Sequence, residues 1–194
     1  MSNRLLIVFS GPSGTGKSTL IQGLLKPFPE LSFTVSCTTR PARRGEVDGV
    51  DYWFLSTEAF RARIDADEFV EWEALHENHY GTPWSELRRL WELNRVPLLD
   101  IDVMGALNVK RLEPGARLIF IAPPSLLELE RRLRARETET EAQIRIRLAR
   151  AEREMAMSTQ FDHVVVNDDL LSAGRALTEI LNTCIGRTRV NENL

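Results

Sequence analysis

The spacing of apolar residues along this chain switches back and forth between continuous runs, alternation and a helical period. The run at 5–9 predicts a buried strand, and Leu20, Ile21, Leu24 and Leu25 then recur as on one face of a helix. Pro27 and Pro29 end that pattern, after which Leu31, Phe33 and Val35 alternate as on one face of a strand. Residues 52–54 read as a further strand; with the turn signal Asp48-Gly49 before them, 45–55 is expected to form a hairpin or an extended arm. Ser56-Thr57 caps a short helix carrying Phe60 and Ile64, and alternation at 69–75 predicts a strand with Glu71 and Glu73 on the face opposite Phe69. Residues 78–83 carry turn chemistry, with Thr82 as N-cap and Pro83 as the first residue of a helix that buries Leu87, Leu90 and Trp91.

Residues 97–102 form an apolar strand ending in carboxylates, and 117–122 another, closed by Pro123-Pro124. Ser125-x-x-Glu128 is a capping box opening a helix with Leu126, Leu129 and Leu133 on its face. A last apolar strand at 163–167 precedes a helix with Leu177, Ile180, Leu181 and Ile185, and the tail 186–194 has no pattern. Strands alternating with helices predict an α/β fold, a parallel sheet flanked by helices whose ligands sit at the carboxyl ends of the strands. The β-rich stretch 36–82 breaks the rhythm and is the natural place for a second substrate.

Between the first strand and the first helix stands Gly11-Pro12-Ser13-Gly14-Thr15-Gly16-Lys17-Ser18-Thr19. This is the G-x-x-x-x-G-K-S pattern in the strand-to-helix context that a phosphate loop requires, which makes the sheet one of the P-loop NTPase type. Its glycines bring backbone N–H groups close to a polyphosphate, and the new helix adds the positive end of its dipole. Lys17 is expected between the β- and γ-phosphates, with the Ser18 hydroxyl on Mg²⁺.

Bulk properties narrow the partners. The 194 residues fit one domain, or one core with inserted lobes. A formal net charge of −3 and a pI near 5.7 argue against a general nucleic-acid binder. Cys37 and Cys184 are too few for a disulfide framework, and no signal segment or membrane-length apolar run is visible, so a cytoplasmic setting is expected, with no membrane partner. His76 and His79 have no further histidine or cysteine at ligand spacing, so no metal cluster of protein ligands is expected.

Two basic clusters remain. Residues 36–45 place Arg40, Arg43 and Arg44 among hydroxyls in one loop, which suits a phosphate, or else a solvated basic loop. Arginines at 131–136 and 145–153 flank the acidic turn 137–141, as in two helices joined at a polar tip. Most read as solvated faces; one or two are expected to swing over ATP as a lid that keeps water from its γ-phosphate. Asp100 and Asp102 end an apolar strand, where one of them helps position Mg²⁺, or where they are a helix cap.

These residues resemble the guanylate kinase family, ATP-dependent kinases of GMP. The likeness is carried by GPSGTGKSTL at 11–20, SCTTRPARRGEVDGVDYWF at 36–54, FVEW at 69–72, YGT at 80–82, LLDID at 98–102, FIAPPS at 120–125, TETE at 138–141 and VNDDL at 166–170. The resemblance spans nearly the whole chain and implies one domain over 1–194. Its core would be about 1–35, 95–130 and 155–186, its β-rich GMP-binding lobe about 36–94, and its helical lid about 131–154. It further implies that Ser36, Glu71 and Thr82 contact the guanine base and that Arg40, Arg43, Tyr52 and Tyr80 hold the GMP phosphate, with Asp100 also in the GMP site. The family's lid arginines fall on Arg136 and Arg147, which join Lys17 and Arg40 as catalytic groups. Glu137, His79 and Cys37 stand where the family commonly has glycine, tyrosine and serine.

The chemistry agrees with the resemblance. Guanine offers N1–H and N2–H₂ side by side to one carboxylate, and hydroxyls of Ser36 and Thr82 can donate to its other edge. The expected reaction is transfer from MgATP to GMP, with dGMP a further acceptor; ATP and GMP are the expected partners, and homo-oligomerisation is possible but not readable from the sequence. Two rivals are a kinase of a small phosphorylated sugar and a non-catalytic binding module on the same fold. The first has no use for Glu71 beside Thr82, and the second none for Lys17.

Overall fold

The computed structural model describes residues 4–75, 77–135 and 140–186. In chain order its elements are β1 (Ile7–Ser10), α1 (Lys17–Leu25), β2 (Leu31–Phe33), β3 (Cys37–Thr38), β4 (Trp53–Phe54), α2 (Thr57–Asp65), β5 (Phe69–Leu75), β6 (Asn78–Pro83) and α3 (Trp84–Glu92). There follow β7 (Val96–Asp100), α4 (Val103–Leu112), β8 (Arg117–Ala122), α5 (Leu126–Arg134), α6 (Glu141–Ala156), β9 (His163–Val166) and α7 (Leu170–Ile185). Five strands form a parallel sheet in the order β2-β7-β1-β8-β9; the other four form a second sheet in the order β4-β3-β6-β5.

Apart from Ser10 and Asp100 at their carboxyl ends and Arg117 at the start of β8, the central strands are apolar because both their faces are covered. Ile7 and Phe9 of β1 and Ile119 and Ile121 of β8 lie under Leu20, Ile21 and Leu24 of α1 and Leu177 and Leu181 of α7. Leu6, Val8, Leu118 and Phe120 point the other way, to Leu87 of α3 and Val103, Ala106 and Val109 of α4. Each such side chain contributes about 1.5–3 kcal/mol on full burial. The second sheet has its own small core, in which Phe60 of α2 stacks on Phe69 at 4.5 Å beside Cys37. Helices α5 and α6 pack on one another through Leu129, Leu133, Leu148 and Ala151. Among the described residues no helix is long and apolar enough to cross a membrane.

Several local expectations need correction. Strand β2 stops at Phe33, which is 40% exposed at the sheet edge, while only Leu31 enters the core. The amide of Val35 donates instead to the buried Glu86 carboxylate at 3.1 Å, which turns the chain away from the sheet. The segment 45–55 is an arm rather than a hairpin: β4 runs parallel to β3, with Asp48 accepting from the Phe54 amide at 2.9 Å. The presumed turn at 78–83 is strand β6, antiparallel to β5. Thr82 is therefore no helix cap, and Pro83 holds the N-cap position of α3 without a side-chain bond. Ser125 accepts from the Glu128 amide, but the Glu128 carboxylate goes to Arg131 and Arg132, so only half of a capping box forms there. Thr140 and Gln143 make the full box, at the start of α6.

Glu71 does point away from Phe69, but simple alternation along β5 does not put it there. In a regular strand residues two apart share a face, so Phe69 and Glu71 would point the same way. A register shift between them against β6 breaks that rule: Phe69 pairs with Pro83, and Glu71 with Thr82. Phe69 is left in the small core with Phe60, whereas Glu71 bonds Thr82 beside the start of α4.

Candidate active site

The phosphate loop leaves β1 at the middle of the parallel sheet, at the carboxyl end of the strand. Gly11 has φ +130°, and a Cβ there would collide with the Ile121 carbonyl oxygen. Gly16, the N-cap of α1, has φ +86°, and its Cβ would come within 2.6 Å of Asn167 Nδ2. No other residue type fits these two places without moving backbone or the Asn167 amide. Within the loop Thr15 Oγ1 donates to Pro12 O at 2.9 Å. Asn167, nearly fully buried just past β9, donates through Nδ2 to Thr15 O at 2.6 Å. Sequence reasoning gave Asn167 no role; the signal available was a polar residue directly after an apolar strand in a sheet whose strand ends carry the site.

Lys17 Nζ donates to Gly11 O at 2.6 Å and Pro12 O at 3.2 Å. Burial pushes its pKa down, and the charge of Asp100 opposes that push. Ser18 and Thr19 are exposed on the first turn of α1, as is Ser13 in the loop, while Gly14 is half-buried. The two aspartates separate. Asp102 caps α4, accepting from Met104 N at 2.8 Å and Gly105 N at 3.2 Å. Asp100 opens to the cleft; desolvation raises its pKa and Lys17 lowers it.

Across the cleft stands the second sheet. Glu71 is 5% exposed and accepts from Thr82 Oγ1 at 2.7 Å, and Ser36 Oγ lies 3.1 Å from Thr82 Oγ1. The proton of Thr82 is thus given to Glu71, so Thr82 orients the carboxylate instead of standing ready to donate to a base. Desolvation pushes the Glu71 pKa up to about 7, against the Thr82 hydrogen bond. Arg40 is gripped by both oxygens of Glu46, at 2.6 Å each, and lies over the Tyr52 ring at 5.0 Å. The same carboxylate accepts from Arg43 N at 2.7 Å, and hydrogen bonding to Arg40 holds its pKa down near 2. Glu46 is a second residue that sequence reasoning left unassigned; it stands six places beyond the arginine it fixes. Tyr52 and Tyr80 meet edge to face at 6.2 Å, and the Arg43 side chain is exposed.

A cleft of about 630 Å³ lies between loop, second sheet and α6. It brings together Lys17, Ser36, Arg40, Arg43, Tyr52, Glu71, Tyr80 and Asp100. Thr82 lies behind Glu71. Arg147 closes the cleft from α6, its Nη1 donating to Ser13 Oγ at 3.3 Å. Arg136 lies outside the described residues, as does His76. Anion-binding groups on one wall face a carboxylate and a second anion-binding set on the other.

A phosphate loop at the centre of a parallel sheet, opposed across a cleft by a small lobe that presents Arg40 and Arg43 to it, defines a P-loop phosphotransferase. The guanylate kinase family model matches residues 3–184. The guanylate kinase of Salinibacter ruber is 51% identical over 172 residues, covering 88% of this chain and 91% of that protein. That of Symbiobacterium thermophilum is 44% identical over 184 residues, covering 95% and 87%. A crystal structure of guanylate kinase from Anaplasma phagocytophilum superposes with a TM-score of 0.71 at 29% identity, covering 98% of this chain and 89% of that one. The chain belongs to the guanylate kinase family, nucleoside monophosphate kinases that carry a phosphoryl group from ATP to GMP.

Proposed function

We propose that the transfer takes place in this cleft, with ATP along the loop 11–19 and GMP on the second sheet. The observation that carries the reading is the buried chain Ser36–Thr82–Glu71, which faces the phosphate loop across the cleft. An ionised Glu71 accepts guanine N1–H and N2–H₂ together; adenine turns an acceptor toward it. Arg40, Arg43, Tyr52 and Tyr80 hold the GMP phosphate, and the Glu46 clamp fixes the Arg40 fork before the ligand arrives. One oxygen of that phosphate attacks the γ-phosphorus of ATP as the bond to the β–γ bridging oxygen breaks, and ADP and GDP leave. The attacking oxygen is already anionic, so no strong general base is needed. Lys17 neutralises charge that develops on the β- and γ-oxygens. Arg147, with Arg136, covers the γ-phosphate and excludes water.

Mg²⁺ suits the donors present, since it takes one or two protein oxygens plus phosphates and water. Ser18 would hold it directly and Asp100 through water, Asp102 being committed to its cap. Such an ion would supply charge neutralisation for the phosphates of ATP. In this reading residues 36–94 form the GMP lobe, 131–154 the lid and the remainder the core; the cytoplasm supplies both nucleotides. The test is ADP release from MgATP against GMP, AMP and sugar phosphates. A strong preference for GMP is expected; transfer to a phosphorylated sugar but not to GMP overturns the reading.

A further inference from the structure

Helix α6 carries two stripes. Leu148 and Ala151 pack on α5, while Gln143, Arg147, Arg150 and Glu154 face the cleft at intervals of four, three and four residues. Its two cleft arginines reach opposite walls one turn apart. Arg147 meets Ser13 of the phosphate loop. Arg150 Nη2 lies 4.0 Å from Glu73 Oε2 on β5, while its Nε donates to Glu154 Oε1 at 2.7 Å. Glu154 is nearly buried, so it fixes the guanidinium from behind and leaves the outer nitrogens aimed at the lobe. No step proposed above uses Arg150, Glu73 or Glu154.

The charges around Arg150 come from three elements: Glu73 on β5, Asp102 at the start of α4 and Glu154 on α6, with Lys17 the opposing cation. Desolvation and the charge of Asp102 push the Glu73 pKa upward, so a cation brought to that edge of the lobe relieves a crowded pair of carboxyls. The Arg150–Glu73 contact is half-exposed and long, the kind of ion pair that contributes little as a permanent strut and can form and break in each cycle. Glu71 and Glu73 share one face of one strand, so whatever draws Glu71 toward a ligand carries Glu73 with it. Along α6, a displacement at Arg150 reaches Arg147 through a single rigid turn.

We infer that Arg150 is a positioning residue that couples the two substrate sites, its pairing with Glu73 docking α6 on the lobe and thereby setting Arg147 over the ATP end of the cleft. This rests on the reading of the lobe as the GMP site. The path runs from the base through Glu71 and β5 to Glu73, across to Arg150, and along α6 to Arg147 and the loop. It makes occupancy of the lobe tighten the grip on ATP, and reciprocally.

The test is calorimetric binding of a non-hydrolysable ATP analogue, with and without saturating GMP, in the wild type, Arg150→Ala, Arg150→Lys, Glu73→Gln and the Arg150→Ala/Glu73→Gln double variant. In the wild type GMP should tighten the analogue severalfold. Arg150→Ala and Glu73→Gln should each bring that factor close to one, the double variant should lose no more than either, and Arg150→Lys should recover part of it. Turnover in Arg150→Ala should fall severalfold while KM for GMP moves less than about threefold, a split that a merely structural defect would not give. Glu73 is partly exposed at the other end of the contact, so Glu73→Gln carries the test should Arg150→Ala melt early. A factor unchanged in both single variants overturns the inference, as does a wild type in which GMP leaves analogue affinity unaltered. Either result leaves wild-type GMP turnover intact and the functional reading standing, whereas a wild type that does not phosphorylate GMP fails that reading first.

Discussion

Glu71 places stability and function in opposition within one side chain. Its pKa rises from 4.5 to about 7 by burial, so between those values the folded protein holds a proton that the unfolded chain has released. Stability therefore falls as pH rises through that window and levels off above it. Glu71→Gln cannot ionise; relative to wild type it should gain up to about 3 kcal/mol between pH 4 and pH 8, measured by urea denaturation at both ends. In the proposed reading function runs the other way, because there it is the ionised form that receives guanine. The kcat/KM for GMP should fall as pH drops through about 7, with AMP in the same buffers as control for the phosphate's own titration. Glu71→Ala should collapse the preference for GMP over AMP by tenfold or more, since each guanine donor buried without a partner costs roughly 1–3 kcal/mol. Lys17→Met should lower turnover on the order of a hundredfold, without loss of melting temperature, because burial already works against the lysine's charge. Wild-type turnover in that folded variant would remove Lys17 from the mechanism.

At the scale of elements, Asn167 shows how one side chain at the end of β9 sets the geometry of a loop that leaves β1. Asn167→Ala would leave the Thr15 carbonyl without its donor, at about 1–3 kcal/mol, and should raise KM for ATP while KM for GMP stays near wild type in steady-state kinetics. Unchanged KM for ATP would mean the loop holds its shape unaided. The strands of the large sheet were legible because burial on both faces leaves unbroken apolar runs. Strands β3 and β6 were not, since Asn78, Gly81 and Pro83 are residues of turns by propensity; the pairing of β6 with β5 and of β3 with β6 overrides it, and Ser36, Tyr80 and Gly81 there line the cleft. The cationic residues of the cleft were legible by spacing and resemblance, but their partners were not. Asn167 acts on Thr15 across the fold, which spacing along the chain does not report, whereas Glu46 and Glu154 lie six and four places from Arg40 and Arg150 among several other carboxylates, and only the folded geometry singles them out.

The whole molecule has two cores of unequal size. The parallel sheet is packed on both faces, whereas the second sheet rests on Cys37, Phe60 and Phe69 with Leu55 and Ile64 around them. Local opening should therefore cost less in the lobe. Amide hydrogen exchange in β3, β5 and β6 should be faster than in β1 and β8 and should slow on addition of GMP, with the large sheet little affected. Equal protection of the two sheets without ligand would contradict this division.

Strand β1 and its loop leave the ribosome before β7 and β8, which flank β1, and before Asn167, which braces the loop. At about 5–20 residues per second, the nucleotide-binding end waits roughly 8–30 s for the segment that gives it its shape. Nascent chains stalled at increasing lengths should resist protease in the presence of an ATP analogue only once residue 167 has cleared the exit tunnel. Until β7 and β8 have emerged the apolar run 5–9 is exposed without its neighbours, so the central strand of the sheet, made before the strands that flank it, is the part that most needs shielding during synthesis.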